Sequence, residues 1–187
     1  TRWNLSIEGD STIDNNSANS DKVIFFVVSS TVTISSTIIS NNQAQEYLSQ
    51  AITESTIIMD NVTFSNNEVS ERWVGVWISD STSLTIINSM FSSNTMGQRA
   101  VIEVLSESSV TMSETTFNEN IASESSSVMY ISDAASVSAS KCTFKNNKSL
   151  NGGNAITSIF SDAITFDQWN FYANEAVKES NHIYSIF

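Results

Sequence analysis

Acid–base or covalent catalysis needs a histidine, a cysteine or a pair of carboxylates held side by side, and this chain offers few such groups. It contains one histidine, His182, and one cysteine, Cys142. A single histidine leaves a Ser-His-Asp triad only one candidate base, and a single cysteine can form neither an internal disulfide nor a zinc site. We therefore interpret His182 as a surface or packing residue and Cys142 as a small free thiol, and we predict no metal site and no cofactor.

The carboxylates are more numerous, and they set the charge of the chain. Twenty Asp and Glu residues outnumber eight Lys and Arg, which gives a net charge of −12 over 187 residues. A chain without a basic face is poorly suited to bind nucleic acid, and it would repel an acidic polysaccharide. No apolar run reaches the roughly 18 residues that a membrane-spanning helix needs, so we also predict no membrane span.

The elements that would position these ionisable side chains come from a sequence repeat. In each copy, an apolar residue is followed three positions later by Asn. Seven copies occur, with spacings of 26, 25, 27, 26, 27 and 27 residues. The apolar positions are Ile13, Ile39, Phe64, Phe91, Phe117, Phe144 and Phe171. The Asn positions are Asn16, Asn42, Asn67, Asn94, Asn120, Asn147 and Asn174.

A strand-like stretch precedes the key apolar residue in most copies. Apolar residues alternate there with Thr, Ser or Ile, as in Leu84, Thr85 and Ile86. Alternation with a period of two and β-branched residues indicates a strand with one face turned inward. A second apolar stretch precedes that strand, so each repeat predicts two clear strands and a short third strand that carries the key residue.

These strands fit an all-β fold in which each repeat winds once and stacks on the next. We predict a right-handed, single-stranded parallel β-helix of about seven coils of 25–27 residues, because parallel crossovers are nearly always right-handed. We expect one domain across residues 1–187 and interpret it as a segment of a longer chain. The key residues would stack in the interior, and the Asn side chains would form a structural ladder that bonds the coils above and below.

The Phe-x-x-Asn repeats, one of them followed by Gly152-Gly153-Asn154-Ala155-Ile156, resemble the repeats of polymorphic outer-membrane proteins. More broadly, the chain is similar to the pectin-lyase-like superfamily of parallel β-helices. The resemblance covers nearly the whole chain. It implies an extracellular or cell-surface location and a segment with an adhesive or structural role.

Many pectin-lyase-like proteins cleave acidic polysaccharides, which requires carboxylates clustered in neighbouring coils. Asp60 and Asp167 would share a column but lie four coils apart, and Arg99 and Glu103 share a strand without a second carboxylate. A hydrolase needs two carboxyl groups about 5–9.5 Å apart. We therefore favour a non-catalytic role and predict no catalytic residue. The alternative is a carbohydrate-active enzyme or a sugar-binding β-helix, with a glycan as its ligand.

The early strand of each repeat is apolar on both faces, which indicates a surface that something covers. If Ile24, Phe26, Val76 and Ile78 point inward, their neighbours form an outer stripe rich in the aromatic residues typical of interfaces. We predict that a protein partner, or a further segment of the parent chain, docks there. Two alternatives stay open: loops of the same chain cover the stripe, or its phase is partly reversed. The predicted partner-binding residues are Phe25, Val27, Trp73, Trp77, Val101, Leu105, Tyr130 and Ile159.

The later strand of each repeat has a polar outer face. Its hydroxyls form two columns, as at Thr31 with Thr33 and Ser83 with Thr85, and Ile58 interrupts one of them. Such arrays resemble the flat faces of ice-binding solenoids. A solvated β-face, with Thr chosen for its strand propensity, is the simpler interpretation.

Overall fold

The computed structural model describes residues 3–19, 24–71, 74–124, 126–151, 155–159, 161, 163–176 and, for the backbone alone, 183–186. In these ranges the chain forms four parallel β-sheets, A to D, of seven strands each. It contributes one strand to each sheet in turn, so four strands make one coil. Each strand pairs in parallel with its counterpart in the next coil, which confirms the predicted parallel β-helix and its stacked repeats.

The strands have the following bounds. Sheet A contains Asn4–Ile7, Thr31–Ser35, Thr56–Asp60, Ser83–Ile87, Ser109–Ser113, Ser136–Ser140 and Ala163–Asp167. Sheet B contains Ser11–Asp14, Thr37–Ser40, Thr63–Ser65, Met90–Ser92, Thr116–Asn118, Thr143–Lys145 and Asn170–Tyr172. Sheet C contains Ser17–Ala18, Gln43–Ala44, Glu68–Val69, Thr95–Met96, Ile121–Ala122, Lys148–Ser149 and Glu175–Ala176. Sheet D contains Phe25–Val28, Ser49–Ile52, Val76–Ile78, Ile102–Val104, Met129–Ser132, Ile156–Ile159 and Ile183–Ile186.

Four strands per coil is one more than the sequence predicts. The additional strand lies in sheet C, directly after the ladder Asn, and is only two residues long, as at Thr95–Met96. Alternation cannot be recognised over two residues. The structure reveals this strand by its pairing: Thr95 and Met96 lie beside Glu68 and Val69 of the coil below.

Sheet A follows the predicted alternation from its second strand onward. Leu84 and Ile86 are buried in the core, while Ser83 and Thr85 lie on the outer face. Each of these residues pairs with its equivalent in the coil before and the coil after. The outer hydroxyl columns therefore exist as predicted.

The key residues of the repeat stack through the interior of sheet B. The rings of Phe64, Phe91, Phe117, Phe144 and Phe171 follow one another with centroid separations of 5.4, 5.0, 5.1 and 4.4 Å. Except for Phe171 in the last coil, these side chains are fully buried. Offset stacking at such separations is favourable for aromatic pairs, so the column contributes both buried apolar area and ring contacts.

The predicted Asn ladder runs along the corner between sheets B and C, from Asn16 to Asn174. The Oδ1 atom of Asn94 accepts hydrogen bonds from the backbone N–H (3.0 Å) and the Nδ2 atom (3.1 Å) of Asn67 in the coil below. Its own Nδ2 donates to the Phe64 carbonyl at 3.0 Å and to Asn120 Oδ1 at 2.9 Å. The ladder therefore satisfies donors and acceptors that the buried corner would otherwise leave unpaired.

Small hydroxyl residues satisfy backbone groups at two other buried corners. Between sheets D and A, the Ser55 backbone N–H donates to Thr82 Oγ1 at 3.3 Å, and the Thr82 N–H donates to Ser108 Oγ at 3.1 Å. Between sheets A and B, Thr115 Oγ1 donates to the carbonyl of Ser113, and Cys142 occupies the equivalent position one coil above. These hydroxyl positions could not be recognised from the sequence, because Ser and Thr are abundant throughout the chain.

Left-handed backbone residues turn the corners. The residue before each ladder Asn has a positive φ, for example Asn66 at 54° and Asn146 at 54°. Asn adopts this conformation more readily than most side chains. With five glycines and no proline, this chain has Asn and other residues at left-handed corner positions where many proteins have glycine.

Removing a ladder amide from a middle coil should destabilise the protein strongly. Asn94→Ala deletes four hydrogen bonds and leaves buried partners on Asn67 and Phe64 unpaired. We expect the free energy of unfolding to fall by about 2–3 kcal/mol, the usual cost of unpaired buried polar groups. Asn16→Ala, in the exposed first rung, is the matched control and should cost under about 1 kcal/mol. Urea unfolding followed by circular dichroism would compare them, and equal losses would contradict a structural ladder.

The thiol of Cys142 should report on unfolding. Its side chain is buried and donates to the Ser140 carbonyl at 3.2 Å, and burial raises the pKa of the thiol. Because the thiolate is the reactive form, we expect labelling by a disulfide reagent at pH 7 to be far slower in the native protein than in urea. Rapid labelling under native conditions would show that this corner is not closed.

Candidate docking face on sheet D

The candidate site is built on the outer face of sheet D, where one side chain per coil forms a column. The described strands place Phe26, Gln50, Trp77, Glu103 and Tyr130 in register, followed by Thr157 in the sixth coil. Neighbours in such a column are about 4.7–4.9 Å apart, the spacing of paired strands. We call these six residues the sheet D column.

Loops of the same chain cover the middle of the sheet D column. Tyr47, in the segment before the second-coil strand, stacks on Trp77 with ring centroids 5.3 Å apart. Arg99, before the fourth-coil strand, forms an ion pair with Glu103 and lies 4.8 Å from the centre of the Tyr130 ring. The first of the two alternatives left open by the sequence therefore holds in part for the central coils, where the loops leave Trp77 and Tyr130 partly exposed.

The second alternative is correct for the first coil, where the predicted orientation is wrong. Phe25 is only 7% exposed and belongs to the core, whereas Phe26 is 53% exposed. Val27 also packs against the core. The cause is the corner between sheets D and A, which has one left-handed residue, Ser29, in the first coil and two, Thr53 and Glu54, in the second. A corner that is one residue shorter turns every side chain of the strand to the opposite face.

Val101 was also predicted to point outward, but it is fully buried in the core. The strand begins at Ile102, so the alternation of the strand does not extend to Val101. Its carbonyl approaches Gly75, where an added Cβ would lie 2.7 Å from the oxygen. Glycine at position 75 therefore permits the close approach of the two backbones.

The remaining predicted stripe residues are either partly exposed or lie outside the described residues. Trp77, Leu105, Tyr130 and Ile159 are each partly exposed. Trp73 lies outside the described residues, as does His182. The sequence analysis did not assign Tyr47, Arg99 or Glu103 to this face. The repeat spacing nevertheless places Glu103 one coil after Trp77, and Tyr130 one coil after Glu103.

Buried polar atoms without a hydrogen-bond partner concentrate along this side of the molecule. Within the described residues, these include Trp77 Nε1, Glu103 Oε2 and Thr157 Oγ1 of the sheet D column. Glu103 is fully buried, and its other carboxylate oxygen is paired with Arg99. Most buried polar groups in proteins are hydrogen-bonded, so these atoms are available to accept or donate bonds to water or a bound group.

The arrangement does not supply a pair of catalytic carboxylates. Glu103 is flanked by two aromatic rings, Trp77 below and Tyr130 above, rather than by a second acid. Asp60 and Asp167 do share an outer column of sheet A, but three strands separate them. In the described part of the chain, no three His, Cys, Asp or Glu side chains gather closely enough to hold a metal ion.

Comparison with known families identifies the fold. The family model for the right-handed beta helix region matches residues 4–171. The chain belongs to the right-handed beta helix family. The match confirms the predicted handedness, which agrees with the parallel sheets of successive coils.

Comparisons with the curated proteins and with the solved structures gave no match to this member of the right-handed beta helix family. The described residues contain no helix that is long and apolar enough to cross a membrane.

The contributions of Arg99 and Glu103 to the free energy of unfolding should be strongly coupled, because the two residues form an ion pair. Arg99→Ala leaves the buried Glu103 carboxylate without its counter-charge, and we expect the free energy of unfolding to fall by about 3 kcal/mol. Glu103→Gln removes the charge while keeping the shape of the side chain. In that background Arg99→Ala should cost much less, which a double-mutant cycle from urea unfolding would measure. Additive losses would show that the two residues act independently.

Proposed function

We propose that this β-helix is a non-catalytic structural or binding segment of an extracellular or cell-surface assembly, which docks a protein partner on the outer face of sheet D. The observation that carries the proposal is the run of large apolar side chains at this face in successive coils. Phe26 and Val28 are exposed in the first coil. Ile52, Trp77, Leu105 and Tyr130 are partly exposed in the second, third, fourth and fifth coils.

The other outer faces differ in chemistry. Sheet A presents mainly hydroxyls, and on sheet B the exposed apolar residues Ile38 and Met90 lie beside a polar outer column that contains Ser65 and Ser92. Single exposed apolar residues are ordinary on protein surfaces, whereas a continuous patch marks an interaction site. Trp and Tyr are also the residues that most often dominate binding energy, so the composition of the sheet D face supports a protein partner.

The stacked coils supply a rigid platform for such a partner. Trp77 and Tyr130 lie on strands that pair on both sides, and their rings are held by Tyr47 and Arg99. Side chains that are already ordered lose little conformational entropy on binding. The location outside the cell is supported by the resemblance to polymorphic outer-membrane repeats.

A sugar-binding or carbohydrate-active β-helix is the second candidate. One observation favours it: Glu103 lies between two aromatic rings, and Glu103 Oε2 and Trp77 Nε1 have no hydrogen-bond partner among the described residues. Aromatic faces with a few polar groups are common in ligand sites. The full burial of Glu103 argues against direct access by a polysaccharide.

A photo-crosslinking amino acid at position 26 would test the docking face. At this position we expect a discrete adduct with one protein of the native assembly, because Phe26 is the most exposed residue of the sheet D column. The matched control carries the crosslinker at Met90, an exposed apolar position on sheet B, and should give no adduct. Adding Trp77→Ser and Tyr130→Ser to the protein with the crosslinker at position 26 should abolish the adduct while the β-sheet circular dichroism is retained.

Equal adducts at both positions, or an adduct that survives the two serine substitutions, would contradict docking on sheet D. The carbohydrate alternative is tested separately with a panel of polysaccharides. Release of reducing or unsaturated sugar ends that is lost in Glu103→Gln, or sugar binding lost in Trp77→Ser, would favour that alternative.

A further inference from the structure

The buried carboxylate of Glu103 is bonded through only one of its two oxygens. Glu103 is fully buried, and its Oε1 atom pairs with the Arg99 guanidinium. Its Oε2 atom has no hydrogen-bond partner among the described residues. An ionised carboxylate can accept about four hydrogen bonds, and a well-placed guanidinium can bond both oxygens at once. The carboxylate therefore has more capacity for a cationic group than Arg99 uses.

Aromatic rings flank this carboxylate along the sheet D column. Glu103 pairs in register with Trp77 of the coil below and with Tyr130 of the coil above. The Arg99 guanidinium lies 4.8 Å from the centre of the Tyr130 ring, within the roughly 6 Å over which an aromatic face attracts a cation. Guanidinium groups also stack on aromatic faces. Two rings and a carboxylate thus form a site with the chemistry of a cation receptor, and Arg99 already occupies it.

Arg99 is the least enclosed member of this cluster. Its side chain is 33% exposed, and it belongs to the irregular segment before the fourth strand of sheet D. Trp77, Glu103 and Tyr130 lie on strands that pair on both sides. Removing the cation alone would leave a buried charge unpaired, which is costly. A second guanidinium in the same place keeps the charge balanced, whereas a sugar hydroxyl brings no charge to exchange.

The surroundings of the site attract cations. The chain carries a net charge of −12. Asp80, Glu107 and Asp133 follow the third, fourth and fifth strands of sheet D and line one cleft at the corner with sheet A. Among the described residues, no basic side chain lies within ion-pair distance of these three carboxylates. Such a field speeds the encounter with a basic partner and opposes an acidic one.

We propose that the protein partner of sheet D carries an arginine side chain that binds between Trp77 and Tyr130 and takes the place of Arg99 on Glu103. This inference rests on the docking proposed above and adds the chemistry of the partner, which is a basic segment. Arg99 is then a built-in competitor. It lowers the apparent affinity in proportion to the fraction of molecules whose site is open, so a partner must add contacts with the neighbouring apolar side chains.

Nuclear magnetic resonance with a synthetic peptide tests this exchange in the 187-residue chain. The probe is acetyl-Gly-Ser-Arg-Ser-Gly-amide, and its matched control contains citrulline, the neutral analogue of arginine. The chain has four tryptophans, and Trp77→Phe identifies the indole N–H signal of Trp77. We expect the arginine peptide to shift that signal saturably and to leave the signals of Trp3 and Trp169 unchanged. The citrulline peptide should shift none of them.

Three variants separate the cation site from general electrostatic attraction. Arg99→Ala removes the built-in competitor and should bind the arginine peptide at least about tenfold more tightly than the wild type. Glu103→Gln keeps the shape of the side chain without its charge and should abolish binding. Glu114→Gln, the matched control, removes an exposed carboxylate that pairs with Lys141 and should bind as the wild type does. If fast labelling of Cys142 shows that Arg99→Ala is unfolded, the comparison of the wild type with Glu103→Gln decides the question.

A Trp77 signal that stays unchanged in the wild type and in folded Arg99→Ala would overturn the proposal. Equal binding of the citrulline peptide, or undiminished binding by Glu103→Gln, would overturn it as well. Crosslinking at position 26 keeps the two proposals apart. A partner adduct there, without binding of the arginine peptide, would contradict the cation site and leave docking on sheet D supported. Specific binding of the peptide without an adduct would support the cation site and contradict the docking of a protein.

Discussion

Every feature of this molecule depends on the parallel hydrogen bonds between one coil and the next. A strand of two to five residues is too short to be stable alone, and here each strand is paired in parallel within a seven-stranded sheet. Because the pairing is parallel and in register, identical positions of the repeat lie directly above one another. Equivalent side chains therefore stack in columns, and each residue must pack against its equivalents in the neighbouring coils.

The corners are where this architecture is most demanding, because a turn buries backbone groups that no strand can satisfy. The ladder from Asn16 to Asn174 solves the problem at one corner, and hydroxyls such as Thr82 and Thr115 solve it at two others. Cys142 belongs to this set: it is a small donor in a hydroxyl position rather than a reactive group. The abundance of Ser, Thr and Asn in this chain thus has a structural cause and need not indicate chemistry on a substrate.

The sheet D face shows how column formation can create a site from residues that are distant in sequence. Register brings the Glu103 carboxylate between the rings of Trp77 and Tyr130, and loops add Tyr47 and Arg99 above them. The result is a partly covered surface with apolar rings and buried polar atoms that lack partners. Because these side chains are already ordered, the docking that we propose would cost little conformational entropy.

The sequence by itself determined the columns of sheets A and B. A repeat of constant spacing and a period-two alternation, as at Leu84 and Ile86, are local properties that specify both register and inward face. Only the tertiary structure decided the outer face of sheet D. There, a corner shortened by one residue reversed Phe25 and Phe26, and Val101 was drawn into the core because it precedes its strand. The burial of Glu103 beneath Arg99 was likewise decided by the path of a loop, because an irregular segment has no periodicity from which its position can be predicted.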